Sequence, residues 1–68
     1  MQLRIEVEFE DDGRYIAEAP DLPGVLVYGR TRQEAVQRAK ALALRVIADR
    51  LEHGETAPDF PELFAVAA

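Results

Sequence analysis

Cysteine is absent from this 68-residue chain, and so is serine. The chain therefore has no disulfide, no thiolate metal ligand and no thiol or serine nucleophile. A single histidine, His53, is too few to build a multi-histidine zinc site. No apolar run approaches the ~20 residues of a membrane-spanning helix, and no signal peptide opens the chain. We therefore expect a cytoplasmic protein without membrane association.

The short length limits the hydrophobic core. A domain of about 60 residues buries only about 60% of the surface that its unfolded chain exposes. Domains of this size commonly need cross-links, a metal or a partner chain. We expect a single domain over residues 1–68 with no second domain. Because disulfides are excluded, we expect a chain of this length to be stabilised by a partner chain or by unusually close packing.

Positive charge is also scarce. Thirteen Asp and Glu residues outnumber eight Lys and Arg residues, which gives a net charge of −5. Nucleic-acid binding draws much of its affinity from the neutralisation of phosphates, so this balance argues against direct binding of DNA or RNA. The same charge suits a basic protein partner.

Groups that could carry catalysis are few. Thr31 occupies a helix-cap position, and His53 has no evident nucleophile to activate. Glu6, Glu8 and Glu10 share one face of the first predicted strand, where carboxylates could hold Mg²⁺. A solvated strand face that discourages edge-to-edge pairing is the simpler interpretation. We expect no enzyme activity, no cofactor and no metal.

Hydrophobic periodicity predicts three strands. Residues 2–10 alternate between apolar and polar side chains, Asp11-Asp12-Gly13 predicts a tight turn, and Arg14–Ala19 is the return strand. A loop with two prolines leads to Val25–Tyr28, whose apolar residues on both faces predict a central or doubly covered strand. The apolar face of the first strand consists of Leu3, Ile5, Val7 and Phe9.

A long helix follows. Thr31-Arg32-Gln33-Glu34 predicts a capping box, in which the Thr31 hydroxyl accepts from the Glu34 amide and the Glu34 carboxylate accepts from the Thr31 amide. The helix is expected to continue to about His53 and to end at Gly54. Its core face consists of Ala35, Val36, Ala39, Leu42, Ala43, Val46 and Ile47.

The closing apolar segment, residues 62–67, predicts either a short fourth strand or a tail folded over the helix. The order of elements is then β-β-β-α-β. This is an α+β fold with a small antiparallel sheet and one long helix on one face.

Two motifs follow the hairpin in a recognisable order. They are Pro20-Asp21-Leu22-Pro23-Gly24 and Gly29-Arg30-Thr31-Arg32-Gln33-Glu34-Ala35. With this loop and this helix start, residues 1–58 resemble the HicB family of type II antitoxins and their solitary relatives. The resemblance implies a partial RNase H-like fold that has lost nuclease function. It also implies binding to HicA, a small basic mRNA-cleaving toxin, and assembly into homodimers or larger homo-oligomers.

The chain departs from the family pattern in two places. Val25 stands where many members have cysteine, and from the chain length we expect no C-terminal DNA-binding domain of the kind that full-length antitoxins carry. We therefore expect any regulation to act through protein contacts.

The predicted function is toxin neutralisation by protein–protein contact. A structural or regulatory homo-oligomer without a toxin is the main alternative, and a residual metal-dependent nuclease is a third. Leu44 and Leu51 lie outside the core face of the helix, where they are either covered by a tail or loop, singly exposed, or in contact with a partner. The candidate partner-binding residues are Glu6, Glu8, Tyr28, Leu44 and Leu51.

Overall fold

A computed structural model describes residues 3–54 as a three-stranded antiparallel sheet with one long helix packed on one face. The elements are β1 (Glu6–Phe9), β2 (Tyr15–Glu18), β3 (Leu26–Gly29) and α1 (Arg32–Glu52). In the sheet, β2 lies between β1 and β3. This confirms the α+β class and the order β-β-β-α. The expected fourth strand, residues 62–67, lies outside the described residues.

Strand register determines which side chains share each face of the sheet. Val7 pairs with Ala17, and Ala17 pairs with Val27 in the third strand. These three side chains pack against Ala35 and Ala39 of the helix. Because successive strand residues point to opposite faces, the residues between them lie on the face away from α1.

The turn between β1 and β2 forms as the sequence predicts. The Glu10 amide donates to the Arg14 carbonyl oxygen at 2.7 Å, and the Gly13 amide donates to the Glu10 carbonyl oxygen at 3.0 Å. Gly13 has a φ of +89°, which a residue with a side chain rarely adopts. The acidic turn therefore needs its glycine.

The loop between β2 and β3 is anchored by Leu22, which is only 1% exposed. Its amide donates to the Ala19 carbonyl oxygen at 2.9 Å, and the Ala19 amide donates to the Val25 carbonyl oxygen at 3.1 Å. The Leu22 side chain packs with Ala43 and Ile47 of the helix. The loop thus supplies the largest fully buried side chain of residues 3–54.

The helix begins at the predicted cap but with one different contact. The Thr31 hydroxyl accepts from the Glu34 amide at 3.0 Å, as expected. The Glu34 carboxylate accepts from the Arg30 amide at 3.1 Å, and not from the Thr31 amide. The same oxygen lies 3.5 Å from the Arg38 guanidinium, so it bridges the residue before the cap and the next turn of the helix. At the other end His53 is the C-cap and Gly54 has a φ of +69°.

The helix packs more closely on β3 and β2 than on β1. Its buried residues Ala35, Ala39, Ala43 and Ile47 belong to the predicted core face. Val36, Leu42 and Val46 of that face are half-buried. Small side chains let the helix approach the sheet closely, and its offset toward β3 leaves a gap beside β1.

Two strand predictions differ from the structure. Within residues 3–54 the third strand lies at the edge of the sheet with α1 on one of its faces, where the sequence predicted a central or doubly covered strand; its partner in this part of the chain is β2. Leu26 and Tyr28 on the other face are 47% and 38% exposed. Phe9, on the predicted apolar face of the first strand, is 63% exposed because it lies at the end of β1, where the helix does not cover it; its ring packs edge-on against Tyr15 at 5.0 Å.

Candidate protein-binding surface

The sheet face away from α1 forms a continuous surface that no described element covers. We call it the open face. Its centre is apolar, since Ile16 of β2 pairs directly with Tyr28 of β3, and Leu26 lies two residues before Tyr28. Its members are Glu6, Glu8, Arg14, Ile16, Glu18, Leu26 and Tyr28.

The β1 side of the open face is acidic. Glu6 lies directly opposite Glu18, and Glu8 lies opposite Ile16. All three glutamates are exposed. Like charges placed directly across two strands destabilise a sheet. The nearest described counter-charge is the Arg4 guanidinium, 3.9 Å from the Glu6 carboxylate. This side of the surface therefore carries net negative charge.

The hairpin end of the open face is held by Arg14. Its guanidinium lies 4.2 Å from the centre of the Tyr28 ring, a cation–π contact. Its Nε donates to the Asp12 carboxylate at 2.6 Å, and its amide donates to the same carboxylate at 3.0 Å. The amide hydrogen bond and then the guanidinium hold the pKa of Asp12 below its ordinary value. Asp12 thus neutralises Arg14 locally, and the Arg14 guanidinium packs over the Tyr28 ring.

The structure divides the five predicted partner-binding residues between two surfaces. Glu6, Glu8 and Tyr28 lie together on the open face. Leu44 and Leu51 lie on α1, which packs on the opposite face, and they are 63% and 58% exposed. A flat partner docked on the open face would not reach the two leucines, because the sheet lies between them.

Sequence reasoning missed four residues of the open face, namely Arg14, Ile16, Glu18 and Leu26. The signal was present in the alternation of each strand. Glu18 is two residues after Ile16, and Leu26 is two residues before Tyr28, so each pair has to share a face. Pairing the strands through the Asp-Asp-Gly turn would have aligned Ile16 with Glu8 as well.

A small groove opens between the residues that lead into β1 and the helix. It has a volume of about 220 Å³, which is smaller than the ~300–1,000 Å³ of typical small-molecule sites. Its walls are almost wholly apolar, and they are formed by Leu3, Ile5, Lys40, Ala43 and Leu44. Without converging polar groups, this groove lacks the features of a cofactor or substrate site.

Residues 3–54 hold neither a metal-binding cluster nor a membrane-spanning helix. No group of three or more Asp, Glu and His side chains in this part of the chain is arranged to hold a metal ion. Its only helix is not apolar enough to cross a membrane.

Comparisons with protein families, with curated proteins and with solved structures find no match to this chain.

Proposed function

We propose that this chain is a HicB-like binding module that neutralises a small basic HicA-type mRNA-cleaving toxin by protein–protein contact. The observation that carries the proposal is the open face, an uncovered sheet surface with an apolar centre and an acidic side. As part of the same proposal, the fold is a partial RNase H-like sheet with one long helix on one face.

The composition of the open face suits recognition of a protein. Stable interfaces combine a desolvated apolar centre with a polar rim, and tyrosine is enriched among the residues that dominate affinity. Tyr28 meets this description, because its ring is exposed and the Arg14 guanidinium already packs over it. A side chain that is ordered before binding loses less conformational entropy in the complex.

The charge of the open face suits a ribonuclease as the partner. An enzyme that cleaves mRNA needs a cationic surface to bind phosphates. Glu6, Glu8 and Glu18 offer such a surface three carboxylates in place of phosphates. The Glu6–Glu18 pair destabilises the isolated sheet, and a basic partner would relieve that repulsion on binding.

Co-expression with the product of a neighbouring reading frame, chosen for toxin-like size and basic charge, tests this function. We expect the chain to co-purify with that product and to restore growth of cells that express it. The Glu8→Lys variant should bind at least about tenfold more weakly, because it places a cation against a cationic surface. Asp11→Lys makes the same change in net charge as Glu8→Lys, but it lies in the hairpin turn. This variant should bind as tightly as the parent chain does.

Two results would overturn this function. One is a neighbouring basic protein that neither co-purifies with the chain nor loses toxicity in its presence. The other is equal weakening by Glu8→Lys and Asp11→Lys, which would mean that net charge rather than the open face determines binding.

A further inference from the structure

The outer edge of β3 presents backbone groups that no strand of the described part of the chain uses. Their direction follows from the pairing with β2. The Ala19 amide donates to the Val25 carbonyl oxygen at 3.1 Å, and hydrogen-bonded pairs alternate along an antiparallel ladder, so the peptide groups of Val27 also face β2. The peptide groups of Leu26 and Tyr28 therefore face outward from the sheet.

One outward group already has a partner, and its contact agrees with this direction. The Arg38 guanidinium donates to the Tyr28 carbonyl oxygen at 2.9 Å. The Glu34 carboxylate lies 3.5 Å from the same guanidinium and neutralises it. The Leu26 amide and carbonyl have no hydrogen-bond partner among the described residues. Arg38 thus closes the edge at Tyr28 and leaves it open at Leu26.

The two outer strands of the described sheet differ in how they resist pairing with another chain. Charged side chains discourage strand pairing at an edge. β1 carries Glu6 and Glu8, whereas Leu26–Gly29 contains no charged residue and no proline. An uncharged edge strand with outward amide and carbonyl groups is a template to which an extended peptide segment can add. The chemistry of this edge therefore suits another extended protein chain.

The side chains beside the edge indicate what the added segment carries. Leu26 lies on the open face and pairs directly with Glu18 of β2. An added strand would lie about 10 Å from β2, since neighbouring strands are about 4.8 Å apart. A lysine or arginine of that strand can lay its methylene groups over the exposed Leu26 side chain and place its charge at the Glu18 carboxylate. The edge thus suits an extended segment with basic side chains at alternate positions.

We propose that the basic partner docks by adding an extended segment to the outer edge of β3, with alternate basic side chains that cross Leu26 toward Glu18. This inference rests on the proposed function and names the way in which the partner binds. The new ladder includes Leu26 and stops at Tyr28, where Arg38 occupies the last carbonyl oxygen. Backbone hydrogen bonds then supply affinity, and the side chains of the open face supply selectivity.

Two substitutions at Leu26 separate the contribution of the backbone from that of the side chain. Leu26→Pro removes the outward amide hydrogen together with the leucine side chain, and proline is tolerated in an edge strand whose amide faces outward. Leu26→Ala removes the side chain and keeps the amide. In titrations with the purified neighbouring basic protein, Leu26→Pro should bind at least about tenfold more weakly than Leu26→Ala.

Amide hydrogen exchange measures the same contact in the parent chain, so it does not depend on the folding of the proline variant. In the free chain the Leu26 amide should exchange rapidly, whereas the Val27 amide, which faces β2, should exchange slowly. In the complex the Leu26 amide should exchange at least about tenfold more slowly than in the free chain. The Val27 amide should stay protected in both.

The inference fails in three cases. A Leu26 amide that is already protected in the free chain is bonded within that chain and offers no open edge. Equal binding by Leu26→Pro and Leu26→Ala, with Glu8→Lys still weakened, would confine the contact to the side chains of the open face and leave the proposed function standing. A parent chain that does not bind the neighbouring basic protein would overturn both proposals.

Discussion

The closest approach between helix and sheet occurs at Gly29, and adding one methyl group there tests the packing directly. A Cβ at this position would lie 2.5 Å from the Ala35 backbone nitrogen and 2.9 Å from the Ala35 Cα. Both distances are too short for non-bonded atoms, and both involve backbone, which cannot rotate aside as a side chain can. Gly29→Ala must therefore push the first turn of α1 away from β3.

The cost can be set against the stability of the whole domain. Inserting a methyl group into a well-packed core costs about 1–3 kcal/mol. Stability of about 0.05–0.15 kcal/mol per residue gives a domain of this length about 3–10 kcal/mol in total. The substitution should thus remove a large part of the free energy of unfolding. The melting temperature should fall by about 4–8 °C for each kcal/mol lost.

Urea denaturation followed by circular dichroism measures the loss, and a double variant identifies its cause. Gly29→Ala with Ala35→Gly removes the Ala35 Cβ, which lies 3.0 Å from the new methyl group. It leaves the two nearer backbone atoms in place, so the double variant should remain at least as unstable as Gly29→Ala. An unchanged urea midpoint for Gly29→Ala would refute the close approach. Full recovery in the double variant would show that the Ala35 side chain, not the backbone, limits it.

Two further substitutions test the anchors on either side of β3. Leu22→Ala should lower the free energy of unfolding by about 2–5 kcal/mol, because the Leu22 side chain is buried. Leu26→Ala on the open face should lower it much less, because Leu26 is exposed. Equal losses of stability in the two variants would contradict the packing of Leu22 in the core. Thr31→Ala should lower the free energy of unfolding by about 1 kcal/mol, because it removes the hydroxyl that accepts from the Glu34 amide. Thr31→Ser keeps a hydroxyl and should retain most of that stability. If Thr31→Ser lowers the melting temperature as much as Thr31→Ala does, loss of the hydroxyl cap is not the cause of the destabilisation.

Local signals in the sequence predict most of the described elements. The acidic turn with Gly13, the cap at Thr31 and the stop at Gly54 each depend on a few adjacent residues, and the structure confirms all three. The alternation of β1 likewise predicts which of its faces the helix covers. Signals of this kind involve only residues that are close together in the sequence, so they can be interpreted without the tertiary arrangement.

Features that depend on the tertiary arrangement were harder to predict. The run Val25–Tyr28 is apolar on both faces, and that composition is typical of a buried strand. A single helix covers only one face of the described sheet, so Leu26 and Tyr28 remain exposed. Apolar composition alone does not distinguish a strand covered on both faces from one that keeps an apolar surface for a partner.

The two motifs that carry the resemblance have local structural roles. Leu22 of the first motif fills the core, and Gly29 of the second lets the helix approach β3. Thr31 and Glu34 of the second motif organise the first turn of α1. These residues specify how the helix docks on the sheet. Partner choice would then depend on open-face residues, all of which lie outside both motifs.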